Sequence, residues 1–109
     1  MEIIWSKIAR SQIKEIHTIY ALNTSTEKAK NLSTKLIDRT KILIKFPEIG
    51  SPQKFTQEQK ILKKHKYRYL VEGKHKIIYY IEGNKIRISI VFHTSQEPEK
   101  IDFLLNNEI

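Results

Sequence analysis

A chain of 109 residues with 20 Lys and Arg against 12 Asp and Glu carries a net charge of +8, which suits one hydrophobic core, is short for two, and points to a polyanionic partner. The expectation is a single domain over residues 1–109, with nucleic acid or an acidic protein as partner and a Lys-rich solvated surface as the plainer reading of the same charge. The absence of cysteine excludes a disulfide framework and thiol chemistry, and no stretch reads as a signal peptide or a membrane span, so a cytoplasmic protein without membrane contact is expected.

MEIIWS opens with Ile3, Ile4 and Trp5 and then Ser6, a short strand followed by a residue able to cap a helix by accepting a backbone N–H. Ala9, Ile13, Ile16 and Tyr20 recur at helical spacing, with Lys7, Arg10 and Lys14 off that stripe, so the first helix should end near Leu22 or Asn23. Thr24 and Glu27 stand at capping-box spacing and predict a second helix, with Ala29, Leu32, Leu36, Thr40 and Leu43 as its buried stripe, running to Phe46-Pro47. The short connection makes the two helices an antiparallel hairpin.

Residues 47–60 read as a crossing loop, and beyond them the period changes to two. KILKK (60–64) is a candidate edge strand, its lysines discouraging unwanted pairing. YRYLVE (67–72), HKIIYYIE (75–82) and KIRISIVFH (85–93) follow as strands, joined through Gly73-Lys74 and Gly83-Asn84, connections that favour type II′ hairpins. After Pro98, residues Ile101, Leu104 and Leu105 predict a short final helix. The fold class is therefore α+β, with an N-terminal strand and a helix hairpin packed on an antiparallel sheet of three or four strands.

Unbroken pairing outward from Gly83-Asn84 sets Ile78 opposite Ser89 and Lys76 opposite Val91. The expected core face then carries Ile77, Tyr79, Ile81, Ile86, Ile88, Ile90 and Phe92, and the other face carries Lys76, Ile78, Tyr80, Arg87, Ser89, Val91 and His93. On this reading His93 lies diagonal to Lys76 on an open face with Tyr69, Val71 and Tyr80, a basic and aromatic surface suited to RNA or a protein partner. Lys63, Lys64, Lys66, Tyr80 and Arg87 are the candidate RNA- or target-binding residues. The plainer reading of His93 is a strand-end residue hydrogen-bonded to backbone, and that of the lysine run is a solvated edge. Nothing local completes a catalytic set around Ser95. His17, His65, His75 and His93 lack paired ligand spacing, so no metal and no cofactor is expected.

The MEIIWS opening, the helix hairpin ending in LIKFPEIG, YRYLVEGKHKIIYYIEG and the closing IVFHTSQEPEKI together resemble the RelE/ParE family of type II toxin-antitoxin toxins. The resemblance implies a bacterial toxin that arrests growth and is neutralised by a cognate antitoxin. RelE-like members cleave mRNA on the ribosome with basic residues of the sheet, whereas ParE-like members inhibit DNA gyrase and lack that set. Carried over by position, Lys76, Arg68 and His93 are the candidate catalytic residues. Ser95 and Ile101 stand where nuclease members have a second basic residue and a tyrosine, so the nuclease set is incomplete. A degenerate toxin-like protein that only binds its antitoxin is the third alternative.

Overall fold

Ser6 ends the first strand and starts the first helix with one hydroxyl. In the computed structural model, which describes residues 1–53 and 65–95, its Oγ accepts from the Ala9 amide at 3.0 Å and donates to the Ser89 carbonyl at 2.7 Å. The strand is β1 (Glu2–Trp5) and the helix α1 (Lys7–Asn23). Ala9 is buried and Ile13 and Ile16 pack on the core, but the predicted stripe runs out at Tyr20, which is 38 % exposed.

Helix α2 (Thr26–Thr40) begins one residue later than the Thr24/Glu27 box predicts. Ser25 is the cap, accepting from the Lys28 amide, while the Thr24 hydroxyl donates back to the Tyr20 carbonyl and closes α1. Ala29, Leu36, Thr40 and Leu43 are buried as expected. The α-helix stops at Thr40 and tightens into a 3-10 turn over Lys41–Ile44 before Phe46-Pro47 is reached. No helix among the described residues is long and apolar enough to cross a membrane.

Four further strands complete the sheet: β2 (Ser51–Pro52), β3 (Arg68–Glu72), β4 (His75–Glu82) and β5 (Lys85–His93), in the order β1-β5-β4-β3-β2. The sheet thus has five strands and is mixed, because β1 runs parallel to β5 (Glu2 beside Lys85, Trp5 beside Ile88) while the other pairs are antiparallel. A parallel neighbour distant in sequence leaves no turn signal from which to read the pairing. Gly73 and Gly83 have φ of 59° and 62°, and no described non-glycine residue has positive φ. Type I′ needs positive φ at both central positions, so both hairpins fit type II′. The 60–64 strand and the final helix lie outside the described residues.

The β4–β5 register corrects the expected faces. Glu82 pairs with Lys85 and Tyr80 with Arg87 as counted, but Tyr79 pairs with Ile88 and Ile78 with Ile90, leaving Ser89 as a β-bulge. One inserted residue moves every later side chain to the opposite face. Val91 therefore joins Ile77, Tyr79, Ile86 and Ile88 in the core beneath Ala9, Leu36 and Leu43. Ile90 and Phe92 pass to the other face, where they form a second cluster with Ile78, Tyr80 and Tyr67. The first turns of α1 hold the bulge, through Ser6 on the Ser89 carbonyl and Gln12 Oε1 on the Val91 amide at 2.7 Å.

Candidate functional site

Lys76, Arg68 and His93, the candidate catalytic residues, do not converge. Lys76 pairs with Phe92 on the face away from the helices, and its Nζ lies 3.8 Å from the Tyr69 ring centroid and 5.9 Å from that of Phe92. An ammonium over an aromatic face is held by the ring quadrupole. Burial holds its pKa below the ordinary lysine range.

Arg68 pairs with Tyr79, so its side chain leaves the sheet on the helix side. One guanidinium nitrogen donates to the Glu48 carbonyl at 3.1 Å and the Gly50 carbonyl at 2.9 Å. The Tyr79 hydroxyl binds the same loop, donating to the Pro47 carbonyl at 2.7 Å and accepting from the Gly50 amide at 3.0 Å. Burial raises the Tyr79 pKa, against the lowering effects of the Gly50 amide and the Arg68 charge. Gly50 is required by close approach: a Cβ there would stand 2.6 Å from the Tyr79 hydroxyl and 2.8 Å from the Tyr69 carbonyl. Arg68 and Tyr79 thus fasten residues 47–50 to the sheet.

His93 lies on the helix side, opposite His75 and not beside Lys76. The two rings are edge to face, centroids 5.3 Å apart. The Ser95 amide donates to His93 Nδ1 at 3.1 Å, with Ser95 Oγ at 2.6 Å from the same atom. A backbone N–H only donates, so Nδ1 is the acceptor and the neutral ring carries its proton on Nε2. A strand-end histidine tied to backbone is the plainer reading of this residue, and the geometry matches it. His75 Nδ1 is buried without a hydrogen-bond partner. Burial first, and the neighbouring His93 second, hold its pKa below 6.5.

The two histidines line a groove of about 600 Å³ between α1 and the paired ends of β4 and β5, with Gln12, Glu15, Ile16, Tyr20 and Leu32 on its helical wall. His75 and Gln12 were not singled out from the sequence. The signal for His75 was the hairpin itself, which must set one strand-end histidine opposite the other once the bulge is counted. Among the described residues no three His, Cys, Asp or Glu side chains gather as a metal site.

The candidate target-binding residues are also dispersed. Tyr80 is 8 % exposed, part of the second cluster and stacked on His65 with centroids 3.7 Å apart, so the face expected to be open is closed over it by His65 and Tyr67. Arg87 is half-buried and paired with Glu82 at 3.0 Å. Lys66 is exposed. Lys63 and Lys64 lie outside the described residues.

A family profile described as "ParE toxin of type II toxin-antitoxin system, parDE" matches residues 3–98. No curated protein matches the chain. Among solved structures, a chain of the "Chromosomal ParDE TA system from P. aeruginosa" is similar at 18 % identity, over 85 % of this chain and 95 % of that one, with a TM-score of 0.68. At that identity the likeness is one of fold.

Proposed function

The chain belongs to the ParE toxin family of type II toxin-antitoxin systems, and from that premise we propose that it arrests bacterial growth by acting on DNA gyrase without cleaving RNA, and that a cognate antitoxin neutralises it. The dispersal of Arg68, Lys76 and His93 supports this target over mRNA. Cleavage through a 2′-hydroxyl needs a phosphate-binding cation and an acid or base within hydrogen-bond reach of the same phosphate. Here Lys76 and His93 occupy opposite faces of the sheet, and Arg68 is committed to the Glu48 and Gly50 carbonyls.

Induced expression in a bacterial host tests the reading. Growth should stop, plasmid topology should change, translated messages should stay intact by primer extension, and co-expression of the neighbouring antitoxin gene should restore growth. His93→Ala and Lys76→Ala should leave mRNA intact and change toxicity modestly. Codon-phased cuts with the wild type that vanish in both variants would overturn the gyrase reading in favour of the ribosome. Growth that continues despite verified soluble protein would leave a protein that only binds its antitoxin.

A further inference from the structure

Three cations of the sheet, Arg68, Lys76 and Arg87, are engaged within the fold, whereas those of α1 have no ion-pair partner among the described residues. Arg68 is spent on loop carbonyls, Arg87 on Glu82 and Lys76 on an aromatic ring. Lys7, Arg10 and Lys14 are exposed, and among the described residues none of them has an ion-pair partner. With His17 they follow spacings of three, four and three, which puts all four on one face of the helix. At a rise of 1.5 Å per residue the row is about 15 Å long. Glu15 is the one acidic residue in α1, and it lines the other groove, with His75 and His93.

The row borders a shallow groove of about 530 Å³ whose remaining lining is Ser11, Ile13 and Ser33. Ser33 donates its only hydroxyl proton to the Ala29 carbonyl, so it accepts from His17 Nδ1 at 3.3 Å, and the contact fixes the imidazole at the groove wall. Cations and hydroxyls thus face an opening with Ile13 as its single apolar side chain.

We propose that this α1 groove binds the phosphate backbone of duplex DNA, independently of sequence and of which target the toxin acts on. Two observations favour DNA over an acidic protein segment. A protein segment gains its affinity from apolar anchors in buried pockets, and the groove offers only Ile13. The phosphates of one DNA strand repeat evenly, about every 3.4 Å of helix axis, while winding round it, so a straight row about 15 Å long meets roughly two or three of them on the side it faces.

The test is a titration of the full 109-residue chain with a short mixed-sequence DNA duplex at several salt concentrations, read by fluorescence anisotropy. The triple variant Lys7→Gln/Arg10→Gln/Lys14→Gln is compared with Lys28→Gln/Lys30→Gln/Lys35→Gln, which removes the same charge from exposed positions of α2. The α1 variant should lose tenfold or more in affinity, and its slope of log affinity against log salt should flatten by about 3, one for each cation removed. The α2 variant should change far less. A charge-preserving Lys7→Arg/Arg10→Lys/Lys14→Arg chain should bind like the wild type, which separates lost contacts from lost folding. Equal losses in the α1 and α2 variants would overturn the site in favour of diffuse net charge. Displacement of the duplex by a polyglutamate peptide at equal charge concentration would overturn DNA in favour of an acidic protein.

Discussion

His75 and His93 face each other across the β4–β5 ladder on the helix side of the sheet, rings at 87° and centroids 5.3 Å apart. Two imidazolium rings at that separation repel, and the buried, unpartnered Nδ1 of His75 makes its charged form costlier still. The other charged groups around the pair are Glu72, opposite His75 on β3, and Glu15 and Lys74, which line the same groove.

Stability should therefore fall on acidification through the histidine range. The folded pKa of His75 is depressed below 6.5, so the unfolded chain binds the proton more readily. The contribution is fully present above the unfolded value and is lost as pH falls through the folded one. Urea midpoints measured from about pH 7.5 to about pH 5.5 should decline for the wild type and flatten for His75→Gln. An unchanged slope in the variant would mean that another group titrates.

Arg68 is expected to act on stability and not on chemistry. Arg68→Ala removes both loop hydrogen bonds, and Tyr79→Phe leaves the Gly50 amide and Pro47 carbonyl without their shared partner. Each change should cost about 1–3 kcal/mol in denaturant unfolding. Toxicity should drop only in proportion to the folded protein that remains. An Arg68→Ala chain with wild-type stability and no toxicity would instead place the guanidinium in contact with the target.

The Lys76–Tyr69 contact can be isolated by a double-mutant cycle with Lys76→Met and Tyr69→Leu, both of which retain an apolar stem. A coupling of about 0.5–1 kcal/mol is expected for a cation held over a partly exposed ring. Zero coupling would show that the ammonium does not rest there in solution, and would return Lys76 to the pool of cations open to an anionic partner.

Period and turn chemistry made β4 and β5 legible to the residue, because Gly73 and Gly83 punctuate two runs of alternating apolar residues. The faces were not legible beyond Ser89, since parity counting assumes a ladder without insertions. A hint was nonetheless present: Ile90, Val91 and Phe92 are three consecutive apolar residues, which simple alternation against one core leaves partly exposed. The bulge allows Val91 to enter the helix-side core and Ile90 and Phe92 to enter the second cluster. The α2 start was ambiguous because Thr24 and Ser25 are adjacent hydroxyls, and either can cap. Arg68 looked available because its partners are backbone carbonyls, which no residue letter marks. The candidate site accordingly split into one cation on an aromatic ring, one on a loop and one imidazole on the far side of the sheet.

Ser89 itself provides the sharpest test of the bulge. Its backbone carbonyl is held by Ser6, but its side-chain oxygen is buried and has no hydrogen-bond partner. A buried hydroxyl left unpaired costs roughly 1–3 kcal/mol relative to its hydrated state. Ser89→Ala removes that cost while keeping the backbone, and it leaves a cavity of only one oxygen atom. The substitution should therefore be neutral or raise stability by up to about 1 kcal/mol. Deleting Ser89 should be costlier, because it takes away the carbonyl that Ser6 holds and the bend the bulge gives β5, while Ile88 stays opposite Tyr79 and Ile90 opposite Ile78. Ile90 and Phe92 would keep their places in the second cluster, and Val91 and His93 theirs on the helix side. The loss should be about 1–3 kcal/mol in denaturant unfolding, with cooperativity retained. A deletion variant as stable as the wild type would show that neither the bulge nor the Ser6 contact helps to hold β5 against α1.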